Sequence, residues 1–283
     1  MAPRVILVTG SSMGFGRSLV ETILARGDIA IATLRKPDVL AEFQTKYGED
    51  RLLVLPLDVT KKEQVDAAFS AVKERFGGLD VLINNAGISA FGEVEATPED
   101  ESRKLFETNF FAPLDITKKA VAFFREVNHT PGGTIIQISS NVAHRGLNGL
   151  GIYSATKAAL ESVTEALADE LDPAWNISFT IVEPGAFGTN LGNNLAAFAA
   201  PPAYSSPALP VNQFRALLPT YPIKGDPQKA AQAILKTLDE PKEKLHRLVL
   251  GDDAIASAQA KVEEWKAVVE KNEAVAKTVN FDV

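Results

Sequence analysis

Short apolar runs alternate with longer stretches of helical periodicity along almost the whole chain of 283 residues. The first apolar run spans residues 5–9, and residues 17–25 then show the apolar spacing of a helix. Continuous apolar runs of this length are typical of strands buried on both faces, and parallel strands need a crossover helix between them. The alternation therefore predicts an α/β fold, with one doubly wound parallel sheet of seven strands flanked by helices.

The predicted elements follow one another without an internal repeat or a clear boundary, so we expect a single domain over residues 1–283. The predicted strands are residues 5–9, 28–34, 51–57, 79–83, 133–139, 176–182 and 246–250. The predicted helices are residues 17–25, 61–76, 98–126, 153–171, 226–238 and 252–278. The last of these opens a C-terminal helical extension over residues 252–283.

Residues 190–224 differ in character from the rest of the chain, because they combine little charge with poor periodicity. Long irregular segments within compact domains are usually lids or binding loops. We therefore predict a substrate-binding lid here. The alternative is a loop docked permanently on the core or on a second subunit, which leaves a homo-oligomer open.

The composition excludes several classes of protein. A formal net charge of −7 and the lack of a Lys/Arg tract argue against nucleic-acid binding. No apolar run approaches the roughly 18 residues of a membrane span, and residues 1–4 leave no room for a signal peptide before the first strand. Without cysteine there is no disulfide or thiolate site, and His129, His144 and His246 lack metal-ligand spacing. We expect a cytoplasmic protein that binds no metal.

A glycine turn joins the first predicted strand to the first predicted helix. Gly10, Gly14 and Gly16 follow residues 5–9 directly. Backbone N–H groups at a helix N-terminus form a phosphate site when the turn before the helix carries no bulky side chains. The spacing predicts a phosphate-binding loop, although glycine turns also simply connect strands to helices.

The ends of the second and third predicted strands bear on which dinucleotide such a loop would hold. An acid at the end of the second strand favours NAD, whereas a cation favours NADP. Leu34 stands where the acid would be and Arg35 follows it, so together with Arg17 they favour NADP, although a solvated surface arginine is the alternative. Asp58 could contact a base from the end of the third strand, or either Asp58 or Thr60 could cap the next helix.

Two further strand ends carry small or polar residues. Asn84, Asn85, Ala86 and Gly87 follow the fourth predicted strand, where a small turn would let the backbone approach a cofactor. Residues 183–189 follow the sixth, and Thr189 could hydrogen-bond a ligand amide or phosphate. In an open parallel sheet, ligands bind at the carboxyl ends of the strands. The alternative for residues 84–87 is a plain turn.

Ser140, Tyr153 and Lys157 form the candidate catalytic set. Tyr153 and Lys157 are four residues apart in a helical pattern, so they share one face, and Ser140 ends the preceding strand. A tyrosine has a pKa of about 10, and a fixed ammonium nearby would lower it. Such a set suits proton transfer to a carbonyl oxygen, although Tyr-x-x-x-Lys alone is common. Asn109, a poor helix former within residues 98–126, suggests a kink or a water site near Pro113.

These motifs, in this order, resemble the short-chain dehydrogenase/reductase family from about residue 5 to residue 250. The resemblance implies a Rossmann domain in which Ser140, Tyr153, Lys157 and Asn109 are catalytic, with Asn109 holding a water of the proton relay. The residues expected to bind the cofactor are Gly10, Ser12, Gly14, Phe15, Gly16, Arg35, Asp58, Val59, Asn85, Ala86, Gly87, Tyr153, Lys157, Pro184, Gly185 and Thr189. Phe15 departs from the family, which usually carries isoleucine there.

Within the family the chain resembles the NADP-preferring, hydroxysteroid- and retinol-dehydrogenase-like group. This implies an NADP(H)-dependent carbonyl reductase or alcohol dehydrogenase, and the aromatic residues of the lid favour a lipophilic substrate. A non-catalytic NADP(H)-binding sensor or scaffold is the main alternative. A related epimerase or dehydratase is disfavoured, because only 33 residues follow Leu250. His144 and Arg145 either border the pocket or lie in an exposed loop.

Overall fold

Seven parallel strands form the central sheet in the computed structural model, which describes residues 2–189 and 195–281. In chain order, the strands are β1 (Val5–Thr9), β2 (Ile29–Leu34), β3 (Leu52–Pro56), β4 (Val81–Asn84), β5 (Ala90–Phe91), β6 (Gly133–Ile138), β7 (Ile177–Pro184), β8 (Ala196–Ala197) and β9 (Leu245–Leu250). The sheet has the order β3-β2-β1-β4-β6-β7-β9, and β5 pairs separately with β8. This confirms the predicted α/β fold with its seven-stranded parallel sheet.

The central strand β1 shows why the apolar runs are continuous. It pairs with β2 on one side and with β4 on the other, and its residues are almost fully buried. Successive side chains of a strand point to opposite faces. Ile6 and Val8 therefore join the core beneath the helices of residues 14–25 and 227–236, whereas Val5 and Leu7 join the core beneath those of residues 62–76 and 112–126. A sheet covered on both faces requires apolar residues at every position of such a strand.

Helices cover both faces of the sheet. In chain order, they are α1 (Gly14–Ala25), α2 (Ala41–Tyr47), α3 (Lys62–Phe76), α4 (Glu99–Phe106), α5 (Ala112–Glu126), α6 (Gly151–Glu170), α7 (Pro210–Leu217), α8 (Pro227–Lys236) and α9 (Asp252–Ala276). The sequence did not predict the short helices α2 and α7. Strand order reverses between β1 and β4, so the crevice outside their carboxyl ends is where a doubly wound sheet binds ligands.

The stretch predicted as one helix over residues 98–126 contains a local change of helix type. A π-helical turn, Glu107–Phe111, separates α4 from α5, and Asn109 lies at its centre. A π turn contains one residue more than an α-helical turn, and such turns are often found at functional sites. The predicted irregularity at Asn109 is therefore a π turn.

The helix expected to be capped by Asp58 or Thr60 has no side-chain cap from either residue. Helix α3 begins after Lys61, with no side-chain hydrogen bond to its first turn. Instead, one carboxylate oxygen of Asp58 accepts hydrogen bonds from the Thr60 backbone N–H at 3.1 Å and from the Thr60 hydroxyl at 2.8 Å. The capping prediction was wrong, because these bonds form a local turn ahead of the helix.

The described part of the lid, residues 195–224, packs on the body of the protein. Backbone bonds join β8 to β5, and the ring of Phe214 lies 5.8 Å from that of Phe91. Arg215 of α7 donates a hydrogen bond to the buried Glu93 carboxylate at 2.7 Å. The segment is thus docked in this structure, and its opening stays a prediction. Residues 190–194 lie outside the described residues.

The C-terminal extension is the 25-residue helix α9, which confirms the predicted helical extension. Its first turn is buried at Ala254, whereas Val262, Trp265 and Val269 farther along are more than half exposed. Among the described residues, no helix has the length and apolar character needed to cross a membrane. The predicted compartment stays a prediction.

Candidate active site

Helix α6 and the end of β6 bring the predicted catalytic residues together. Tyr153 and Lys157 lie on the first turns of α6, and both side chains are buried. Ser140 lies two residues beyond the end of β6, and its hydroxyl is close enough to the Tyr153 phenol to act on its pKa. The ammonium nitrogen of Lys157 lies 5.9 Å from the centre of the Tyr153 ring. The three side chains therefore occupy one site at the carboxyl edge of the sheet.

The titration of these groups differs from the sequence-based expectation. Burial raises the pKa of Tyr153 to about 12, and the Ser140 hydroxyl acts in the opposite direction. Burial also lowers the pKa of Lys157 to about 8, while the Glu161 carboxylate acts in the opposite direction. The expected lowering of the tyrosine pKa by Lys157 is not seen, because the ammonium donates instead to the Ile138 carbonyl at 2.8 Å.

Asn109 is completely buried, and its amide group holds the chain after β4. The Asn109 side chain accepts from the Ile88 N–H at 2.9 Å and donates to the Ile88 carbonyl at 2.8 Å. It also donates to the hydroxyl of Thr156 at 3.2 Å, and that hydroxyl donates to the Tyr153 carbonyl at 2.7 Å. Asn109 therefore links the strand-end turn to the helix that carries the tyrosine.

The glycine turn after β1 is tightly packed against the turn after β4. A Cβ at Gly16 would lie 2.2 Å from the Gly10 carbonyl oxygen, and one at Gly10 would lie 2.8 Å from the Ala86 Cα. The Asn85 amide donates to the Thr9 and Gly10 carbonyls at 2.8 and 3.1 Å. Side chains are excluded at both glycines, which keeps the turn lined by backbone.

The start of α1 fits the phosphates of a dinucleotide. Met13, the residue before the helix, provides no side-chain cap to the first turn, and Gly14 has a φ of 55°. The first N–H groups of a helix have no intrahelical partner, and the helix dipole favours an anion there. Ser12, between Gly10 and Gly14, is partly buried in the same turn.

The segment after β7 packs against the glycine turn that follows β1. Phe15 packs its ring 5.1 Å from that of Phe187, and a Cβ at Gly14 would lie 3.1 Å from the Thr189 Cβ. Pro184 ends β7, and the Gly185 N–H donates to the Leu250 carbonyl at 2.9 Å. The predicted cofactor residues of the two segments are thus neighbours in space.

The residues predicted to meet the adenosine end lie at the ends of β2 and β3. Arg35 is exposed, and Asp58 and Val59 are partly buried. Although burial acts to raise it, the pKa of Asp58 is lowered by hydrogen bonds from Thr60 and by the positive charge of Arg35. Arg17 is not equivalent to Arg35, because its guanidinium pairs with Glu21 at 3.1 Å and stacks on a phenylalanine ring.

The structure places Asp253 and a cluster of charged residues around His144 beside this site. Asp253, in the first turn of α9, accepts a hydrogen bond from the Ala186 N–H at 2.8 Å and so holds the segment after β7. His144 places its Nε2 atom 3.1 Å from a carboxylate oxygen of the buried Glu183, so it is not part of an exposed loop. The buried Glu161 and the partly exposed Arg247 complete this cluster. The sequence points to His144 and to Glu161, which follows Lys157 by four residues, but it gives no such signal for Asp253 or Arg247.

Comparison with known proteins agrees with this geometry. The sequence model of the family described as short chain dehydrogenase matches residues 4–199. An uncharacterized oxidoreductase of Schizosaccharomyces pombe is 36% identical over 98% of this chain and 92% of its own. A short-chain dehydrogenase structure from Streptomyces avermitilis is 38% identical, covers 99% of both chains and superposes with a TM-score of 0.89.

A second solved structure, a short-chain dehydrogenase from Burkholderia cenocepacia in complex with NADP, is 26% identical. It covers 95% of this chain and 97% of its own, with a TM-score of 0.74. The chain belongs to the short-chain dehydrogenase/reductase family and is an oxidoreductase that acts on CH–OH groups. Members of this family bind nicotinamide cofactors.

Proposed function

We propose that the protein is an NADP(H)-dependent oxidoreductase that interconverts a lipophilic ketone or aldehyde and its alcohol. The observation that carries the proposal is the grouping of the Ser140 hydroxyl, the buried Tyr153 phenol and the Lys157 ammonium, which lies 5.9 Å from the tyrosine ring. A proton donor, a second hydroxyl and a cation lie together at the edge of the sheet that also carries the glycine turn.

The cofactor would be held by the turn after β1, the turn after β4 and the segment after β7. When bound, a nicotinamide cofactor supplies or accepts the hydride. Gly87 lies where a Cβ would be 3.3 Å from Asn109 Oδ1 and 3.7 Å from Lys157 Nζ, so the backbone there borders the catalytic side chains directly. Because Gly87 has no side chain, a bound cofactor would be able to approach these side chains closely.

Tyr153 is the proposed acid for carbonyl reduction and the base for alcohol oxidation. With a pKa raised to about 12 by burial, its phenol carries a proton throughout the neutral range and can give it to a carbonyl oxygen. Ser140 would hold that oxygen through its hydroxyl. An adjacent positive charge favours an anion, so Lys157 would stabilise the phenolate left after transfer once its ammonium turns from the Ile138 carbonyl toward the phenol.

NADP is the proposed cofactor because Arg35 is an exposed cation at the end of β2. Its charge influences Asp58, the predicted adenine contact, so the two side chains lie near one another. Leu34, at the place where an acid would favour NAD, is 2% exposed and packs in the core. A 2′-phosphate next to Arg35 would therefore meet a positive charge, and Leu34 places no acidic side chain at the end of β2.

The proposed lipophilic substrate rests on the aromatic residues between the lid and β5. Phe214 packs 5.8 Å from Phe91 and 6.5 Å from Tyr221, and a Cβ at Gly92 would lie 3.0 Å from the Phe198 ring. Apolar and aromatic side chains line most small-molecule pockets, and a few polar groups orient the ligand. A pocket closed by this lid would favour an apolar ketone over a sugar or a carboxylate.

The test is a turnover assay with purified protein. NADPH and NADH oxidation are followed at 340 nm (the usual absorbance of reduced nicotinamide) with matched panels of aromatic, aliphatic and carboxylated carbonyl compounds. We expect NADPH-dependent reduction of apolar members of the panel. Binding of NADPH without turnover of any compound would favour the non-catalytic sensor, and a preference for carboxylated substrates would contradict the proposed pocket.

A further inference from the structure

Helix α6 carries a third buried polar residue on the face that holds Tyr153 and Lys157. Glu161 follows Lys157 by four residues and is only 7% exposed. Residues spaced by four lie one above another on a helix, so the three side chains form a single stripe. Each of them contacts a different residue at the end of β6, namely Ser140 for Tyr153, Ile138 for Lys157 and Ser139 for Glu161.

The contact between Glu161 and Ser139 fixes the chain next to the candidate catalytic serine. The Ser139 hydroxyl donates a hydrogen bond to the Glu161 carboxylate. The Ser139 N–H donates to the Val182 carbonyl of β7 at 2.8 Å, so this residue is held by both its backbone and its side chain. Ser140 is the next residue, and its position therefore depends on how firmly Ser139 is held.

A partly exposed cation, Arg247, compensates the charge of Glu161. Arg247 of β9 donates to the other carboxylate oxygen of Glu161 at 2.9 Å and also contacts Glu183 and Glu165. Burial raises the pKa of the Glu161 carboxyl, and the hydrogen bonds from Ser139 and Arg247 act in the opposite direction by favouring its charged form. His144, Glu161 and Glu183 lie close enough to suggest a metal site, but the guanidinium already supplies the positive charge between the two carboxylates.

The carboxylate also acts on Lys157. Burial lowers the pKa of Lys157 to about 8, and the negative charge of Glu161 opposes this effect. The other charged or titratable groups that face the pair come from three further elements and from α6 itself. They are Glu165 on α6, Glu183 on β7, Arg247 on β9 and His144 in the turn after β6.

Resting on the proposed function, we propose that Glu161 is a positioning residue of this active site. Its carboxylate holds Ser139, and thereby the strand end that presents Ser140, and it stabilises the ammonium form of Lys157. Two consequences follow that can be separated by experiment. The first depends on the charge of residue 161, and the second depends on the reach of its side chain.

The charge is tested by Glu161→Gln, which keeps the size of the side chain and an oxygen that can accept from Ser139. Reduction needs the ammonium of Lys157, so activity is lost as the pH rises through the pKa of Lys157. Removing the carboxylate should move this alkaline limb of kcat down by roughly one pH unit. Glu165→Gln is the matched control, because Glu165 also pairs with Arg247 but is half exposed and one turn farther along the helix. It should keep the wild-type limb.

The reach is tested by Glu161→Asp, which keeps the charge on a side chain shorter by one methylene. We expect a wild-type alkaline limb with kcat reduced about tenfold, because the shorter carboxylate loses the Ser139 hydroxyl. If Glu161→Gln does not fold, Glu161→Asp still decides the positioning role. Wild-type kcat in that variant would overturn this role.

The same pH series is measured for NADPH affinity by fluorescence, which needs no turnover. Lys157 borders Gly87, so we expect the affinity of Glu161→Gln to weaken at a lower pH than that of the wild type. If the wild type binds NADPH but reduces no carbonyl compound, the proposed function fails. The pH dependence of NADPH binding still tests the role of Glu161 in that case. If the wild type is active and Glu161→Gln keeps both wild-type limbs, the charge role of Glu161 alone is refuted.

Discussion

Replacing Arg35 by alanine should shift the cofactor preference from NADP toward NAD. A hydrogen bond to a charged group contributes about 1.5–3 kcal/mol. Arg35 is exposed at the end of β2, so solvent screens its charge and the lower value applies. About 1.5 kcal/mol corresponds to a preference reduced roughly tenfold, expressed as the ratio of kcat/KM for NADPH to that for NADH.

The assay compares the wild type with Arg35→Ala and with Lys36→Ala, which removes a neighbouring exposed cation. Raising the salt concentration should reduce the preference of the wild type and have little effect on that of Arg35→Ala, because only an exposed charge pair is being screened. An equal loss of kcat/KM for both cofactors in Arg35→Ala would mean that the residue is structural. An effect of the same size in Lys36→Ala would mean that the site responds to net charge alone.

Two other changes test the cofactor turn and the lid. Gly16→Ala should abolish NADPH binding or destabilise the fold, because the added Cβ would lie 2.2 Å from the Gly10 carbonyl oxygen; wild-type binding in a fluorescence titration would contradict this packing. Arg215→Met should increase hydrogen exchange across residues 195–221, because it removes the 2.7 Å contact with the buried Glu93 carboxylate. The exposed Lys224→Met is the control for the lid, and unchanged exchange in Arg215→Met would show that this ion pair does not hold the segment.

The sheet could be predicted from the sequence because burial on both faces requires continuous apolar runs, which are visible in the sequence. Ile6 and Val8 face one helical layer while Val5 and Leu7 face the other, so residues 5–8 of β1 are all apolar. Short helices give a weaker sequence pattern, because they contain few turns over which apolar residues can recur. α7 spans only eight residues, and its contacts with Glu93 and Phe91 depend on the tertiary fold.

The candidate site shows the same division between local and distant information. Tyr153 and Lys157 could be placed together because helical spacing alone puts them on one face. Arg247 could not be placed beside this site from the sequence, because its contact with Glu161 depends on the pairing of β9 with β7. The pKa of Tyr153 could not be foreseen either, because burial raises it and Lys157 is bonded to the Ile138 carbonyl.

The central claim is that Tyr153 transfers the proton during carbonyl reduction. The most direct measurement is kcat for Tyr153→Phe beside NADPH affinity, with Tyr47→Phe as the control because Tyr47 stacks on Phe43 at α2. We predict a kcat lower by roughly 10²–10⁴-fold with NADPH affinity close to that of the wild type, since only the proton donor is removed. A Tyr153→Phe variant that retains more than about a tenth of the wild-type kcat would contradict this role.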